Sequence, residues 1–157
     1  MSKEFNLRLV LRVMGSLALV ESALLLLVCI IPLIYGENDA HFFLISSLIS
    51  FSFSILALYF GKNPSLSIGK REGSVIVTFT WIIFSLIGLL PFWMSGSIPT
   101  FTDAFFETIS GFTTTGASIL NNIEELSHGM LFWRSLTHWV GGLGIIVISL
   151  AILPVFS

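Results

Sequence analysis

The sequence predicts an all-α membrane protein: two N-terminal transmembrane helices, then a span, a short half-helix with an irregular loop, and a final span. Three observations carry this. The 157 residues are 55% hydrophobic and 10% charged, with a mean hydropathy of +0.97, too apolar for a water-soluble domain of this size. Four runs, Val13–Tyr35, Phe42–Phe60, Val75–Met94 and Leu131–Leu153, have about the 20 mostly apolar residues that a bilayer crossing needs. Between the last two lies Thr102–Ile119, an amphipathic segment that breaks at Gly111 and runs into Thr113-Thr114-Thr115-Gly116.

Taken in order, Met1–Arg12 reads as a short basic lead-in. The first span is too long for the apolar core of a signal peptide, and no small-x-small cleavage site follows it before Pro32. It holds Glu21, a carboxyl that is costly inside a membrane. Two readings stand for it: an ion-pathway or coupling residue, or a structural hydrogen bond to a neighbouring helix. Gly36–His41 is a tight turn. The second span has Ser46, Ser50 and Ser54 at a spacing of four, which lets helices approach closely. Gly61–Ser74, with Asn63-Pro64, is a linker joining a two-helix unit, residues 1–68, to a span–half-helix–span unit, residues 69–157.

Charge sorts by side. Six of the seven basic residues, Lys3, Arg8, Arg12, Lys62, Lys70 and Arg71, precede the first span or lie between the second and third. Glu37, Asp39, Asp103, Glu107, Glu124 and Glu125 lie in the other segments. By the positive-inside rule the N-terminus is cytoplasmic and the half-helix enters from outside. The basic clusters are short and adjoin spans, so topology explains them without nucleic acid. The lone Cys29 reads as a small packing residue.

Thr100-x-x-Asp103 after Pro99 resembles a capping box that starts a helix near Phe101, and Ser110-Gly111 ends it. About ten residues at 1.5 Å each give roughly 15 Å, too short to cross a bilayer and right for a re-entrant half-helix at 101–111. Its C-terminal end carries partial negative charge, which favours a cation. Non-helical backbone at membrane depth must be buried in protein or line a watery cavity, and the loop at 113–117 falls under that rule. Threonine offers hydroxyls and a stiff chain, and Gly116 permits a positive φ that turns a carbonyl aside. Together with the flanking spans this is the layout of a potassium pore loop, in which carbonyls replace an ion's water shell.

FFETISGFTTTGASI and HWVGGLGIIVISLAILP resemble the first repeat of the TrkH/TrkG potassium transporters, in the Trk/Ktr/HKT superfamily. The resemblance covers the whole chain: two N-terminal helices, then one span–pore-helix–filter–span repeat of the four that such proteins carry. It implies that Thr113, Thr114, Thr115 and Gly116 are the filter strand, with K+ held at Thr114, Thr115 and Gly116 and the glycine marking potassium selectivity. Glu107 and Ser110 match the half-helix behind it. It further implies potassium uptake across a bacterial inner membrane, a homodimer of full-length chains, a cytoplasmic nucleotide-binding regulatory subunit, and symport with protons or sodium. One filter strand where four are needed means either a fragment of a longer protein whose remaining pore repeats complete the pore, or a chain that assembles as four copies, and the fragment is favoured.

Of the residues around the loop, Glu107 either draws cations to the mouth or braces the filter, and bracing is favoured. Gly111 terminates the half-helix, and Arg134 pairs with Glu107, Glu124 or Glu125. His138 reads as a satisfied hydrogen-bonding residue, and His41 and His128 as loop residues. Gly141-Gly142-Leu143-Gly144 reads as gating flexibility or close packing. Trp93 and Trp133 suit an outer aromatic belt. No paired carboxylates, Ser/His pair or metal-ligand spacing suggests an enzyme or a bound cofactor. The rival class is a non-conducting membrane assembly or sensor subunit.

Overall fold

The computed structural model describes residues 5–62 and 70–152, with side chains omitted at 70 and 145–152. The described residues are helical or irregular, without strand. α1 (Leu7–Val28) and α2 (Ile30–Tyr35) form the first apolar segment, α3 (Ala40–Phe60) the second, and α4 (Lys70–Gly88) with α5 (Leu90–Met94) the third. Next come α6 (Phe101–Phe112), a 3-10 turn (Ile123–Glu125) and α7 (His128–Ile152). Leu7–Tyr35, Ala40–Phe60 and Arg71–Met94 are each long and apolar enough to cross a membrane. Large apolar side chains such as Leu33, Ile34, Leu56 and Phe60 stand exposed on them, as lipid contact requires.

Proline sets the two helix breaks. Pro32 cannot donate to Val28 O and Pro91 cannot donate to Ile87 O, and each ring crowds that carbonyl. The chain accordingly breaks at Cys29 and at Leu89. The basic lead-in is shorter than expected, because the Asn6 side chain accepts from Leu9 N at 3.1 Å and starts α1 at Leu7. The linker is also shorter: Lys70–Ser74 is already helix, while the domain boundary at 68/69 lies outside the described residues.

α1 and α3 pack along their length. Ser50 and Ser54 donate to Ala18 O (2.8 Å) and Gly15 O (2.7 Å), whereas Ser46 turns back to Phe42 O of its own helix. Such interhelical bonds each contribute about 0.6 kcal/mol in a membrane. At the ends of this pair, Asn6 N donates to Glu72 of α4, and Cys29 Sγ donates to Ala40 O. Leu25, Val28 and Phe43 share one core with Phe84, Phe92, Phe112, Met130 and Trp133.

A polar clamp closes the other side of this core. His128 begins α7 rather than lying in a loop. The Glu37 carboxylate accepts from His128 N (2.9 Å), Gly129 N (3.2 Å) and the His128 ring (2.8 Å), at the helix N-terminus where negative charge is favoured. Tyr35 stacks on His128, and Ser127 donates to Asp39. Burial pushes the Glu37 carboxyl up, but the bonds from His128 and Gly129 outweigh it and hold its pKa below the ordinary value. Trp133 is not in an outer belt. It is 1% exposed, and its ring N–H finds Gly88 O at 2.8 Å, so it has no need of the interface.

Candidate functional site

α6 starts where the sequence indicates, with a modified cap. Thr100 Oγ1 accepts from Asp103 N at 3.3 Å, and its hydroxyl donates to the Asp103 carboxylate. A glutamate would reach back to the Thr100 main chain; aspartate is one methylene shorter and meets the hydroxyl instead. The helix spans 12 residues, about 18 Å.

Its end departs from expectation. Gly111 lies inside the helix, which continues to Phe112. A Cβ on Gly111 would collide with the Thr137 hydroxyl of α7, and one on Gly141 with the Phe112 carbonyl. Both glycines therefore serve the close crossing of α6 and α7. Gly144 lies against the Trp81 ring, and Gly142 faces open space. Phe112 anchors the helix end, its ring edge-on to Phe84 and Trp133 at centroid distances of 5.5 and 6.3 Å.

The chain then leaves the helix through a Schellman turn. Thr115 N donates to Ser110 O and Thr114 N to Gly111 O, both at 2.9 Å. The left-handed position in such a turn is usually glycine, yet here it is Thr114, with φ of 56°. A β-branched residue in that region is strained by about 1–3 kcal/mol, and it persists only where the surroundings hold it. Gly116 follows with φ of 74°.

Those surroundings are specific. Ser110 Oγ donates to Ala117 O at 2.6 Å. Glu107, 2% exposed, accepts from Ser118 Oγ (2.9 Å), Ile119 N (3.1 Å) and Arg134 Nε (2.7 Å). The Arg134 side chain is 16% exposed, so the ion pair is largely shielded. Of the three carboxylates weighed for Arg134, Glu107 is the partner; Glu125 instead accepts from Asn122. His138 Nδ1 lies 2.9 Å from Arg134 O, the satisfied position expected of it.

Between these fixed ends, Thr113–Ile119 are exposed. Thr113 and Thr115 hydroxyls pair at 2.9 Å, and Thr113 donates to Ile109 O. Among the described residues, no donor reaches the carbonyls of Thr113, Thr114, Thr115 or Gly116. The loop thus offers a row of unpaired carbonyl dipoles on rigid backbone, beside the negative end of a helix, with the one nearby carboxylate neutralised. Carbonyl dipoles are the groups that replace a cation's water shell in selectivity filters, and the C-terminal end of a helix favours positive charge. Thr137, Gly141, Phe112 and Ser118 were not singled out for the loop from the sequence, although the double glycine at 141 and 142 marked close packing as one reading.

The TrkH family model, described as a cation transport protein, matches residues 40–157. The Trk system potassium uptake protein TrkG of Escherichia coli is 34% identical over 97% of this chain. TrkH of Salmonella typhimurium is 35% identical over the same share. The crystal structure of the potassium transporter TrkH from Vibrio parahaemolyticus superimposes with a TM-score of 0.88 at 31% identity, covering 96% of this chain. The chain spans about a third, 32%, of each of these relatives.

Proposed function

We propose, from the premise that this chain belongs to the TrkH family of cation transport proteins, that its Thr113–Gly116 loop is one strand of a potassium selectivity filter. The chain is a multi-pass membrane protein of a transporter family, not an enzyme. The observation that carries the reading is the row of unpaired carbonyls from Thr113 to Gly116 on a loop strained at Thr114 and tied down at both ends. Potassium ions shed water onto the carbonyls of Thr114, Thr115 and Gly116 and move on by repulsion from the ion behind. Glu107, Ser110, Gly111 and Arg134 keep those oxygens in register.

The exposure of the loop on one side leaves room for further strands, in keeping with a chain that spans a third of its relatives. We assign residues 1–68 to an N-terminal two-helix unit and 69–157 to the first of four pore repeats. The sorting of basic residues supports a cytoplasmic N-terminus, and family likeness favours a bacterial inner membrane. Family likeness favours a homodimer, a cytoplasmic nucleotide-binding regulatory subunit, and coupling to protons or sodium.

The test is growth of bacteria that lack their own potassium uptake systems, supplied with the whole protein. Rescue at limiting potassium, with rubidium-86 accumulation, is expected. A folded, membrane-inserted protein that takes up no rubidium overturns the proposal.

A further inference from the structure

Along the seam between α1 and α3, four serine hydroxyls donate to carbonyls of the opposite helix. The bonds run from Ser22 to Ser47 O (3.0 Å), Ser47 to Ser22 O (2.9 Å), Ser50 to Ala18 O (2.8 Å) and Ser54 to Gly15 O (2.7 Å). Among them lies Glu21, 1% exposed. It lies inside the apolar span Val13–Tyr35, about two turns from its first residue. Its Oε2 lies 3.4 Å from Ser50 Oγ, and its Oε1 meets no hydrogen-bond partner among the described residues. Neither ion pair found among those residues includes it.

Counting protons assigns its state. A serine hydroxyl has one proton, and a carbonyl can only accept. The Ser50 hydroxyl has two acceptors in reach, Ala18 O at 2.8 Å and Glu21 Oε2 at 3.4 Å, and with its single proton on the shorter bond nothing from the serine side fills the contact with Glu21 Oε2. An ionised carboxylate brings no proton, and the two oxygens would meet lone pair to lone pair. A carboxylic acid brings one and donates it to Ser50 Oγ, which still has lone pairs free.

We propose that Glu21 is a proton-binding site within the first membrane span, occupied as a neutral carboxylic acid that donates to Ser50. Titratable groups on the elements packed against α1 lie elsewhere. His41 and Tyr59 are at the ends of α3, Arg71 and Glu72 are in the first turn of α4, and Tyr35 ends α2. On α7, His128 is held by Glu37, Arg134 by Glu107, and His138 bonds Arg134 O. Release of the proton leaves a charge at the seam with no cation beside it among the described residues, so proton occupancy and closure of the α1–α3 seam are coupled. The site is independent of the filter reading.

Infrared spectra of the protein in liposomes at neutral pH test this. Relative to Glu21→Gln, the native protein is expected to show one extra carboxylic-acid C=O band that moves down in D2O. In Ser50→Ala, which leaves Glu21 in place, that band persists but moves up as the acid loses its acceptor. Loss of carboxylate bands instead of an acid band in Glu21→Gln overturns the proposal, as does an unmoved band in Ser50→Ala.

Discussion

Glu107→Gln is the substitution whose cost the geometry fixes most narrowly. The side chain keeps its shape and loses its charge. One carboxylate oxygen accepts from Arg134 and Ser118, the other from Ile119 N and Ser118. Glutamine has one acceptor oxygen. If its NH2 takes the place beside Ile119, two donors face each other; if it takes the other place, it faces Arg134. Either way a shielded donor is orphaned, costing about 1–3 kcal/mol. Arg134 is also left as an unpaired charge, and breaking a buried pair from one side costs about 3–5 kcal/mol. Because Arg134 retains some water access, the combined effect lies at the lower end, about 3 kcal/mol. The assay is unfolding of the purified protein, followed by the rubidium-to-sodium uptake ratio in liposomes. Stability is expected to fall by that amount and the ratio with it, since Ser118 and Ile119 are released. Adding Arg134→Gln should recover part of the loss by removing the stranded charge. A Glu107→Gln protein within about 0.5 kcal/mol of native, with a changed potassium affinity, would refute the bracing role and make the carboxylate a cation attractor.

Other consequences are as concrete. Gly141→Ala drives a Cβ into the Phe112 carbonyl, which as backbone cannot swing away, and should cost about 1–3 kcal/mol. Gly142→Ala, next to it but in open space, should be neutral or gain up to about 1 kcal/mol of helix propensity; equal effects at the two sites in a melting assay would exclude the packing role. Thr114→Gly relieves left-handed strain of about 1–3 kcal/mol against a glycine entropy cost of about 1, so stability should hold or rise. A clear drop in melting temperature would contradict the strained turn. Because the folded pKa of Glu37 is depressed, the clamp onto His128 contributes fully above the unfolded carboxyl value, about 4.3, and is lost as pH falls below it. Melting curves of native and Glu37→Gln protein should converge on acidification and separate at neutral pH; a constant gap would contradict the clamp.

The layout of three spans, half-helix and loop was readable because it is written locally, in apolar runs, prolines and a cap at Thr100; the fourth predicted span, Leu131–Leu153, runs along α7, and its last residue lies outside the described residues. What escaped was written between distant positions. Glycine spells both a helix stop and a close contact, and only the arrival of α7 shows that Gly111 is the second. Three carboxylates competed on paper for Arg134, and only the fold brings Glu107 to it across 27 residues. Trp133 looked interfacial until Gly88 O supplied its acceptor. Nothing in the sequence announces a left-handed Thr114, because threonine is a poor residue for that conformation; its identity there reflects the loop, not local preference.

The central claim is that the backbone at Gly116 selects the ion. The most direct measurement is the rubidium-to-sodium uptake ratio of the reconstituted protein beside its Gly116→Ser variant, both with matched melting. A Cβ at Gly116 meets no atom within 4 Å, so serine fits, but its positive φ resists any L side chain and should turn the carbonyls. The ratio should fall at least about tenfold, equivalent to ~1.4 kcal/mol of lost discrimination. An unchanged ratio in a folded variant would contradict the claim.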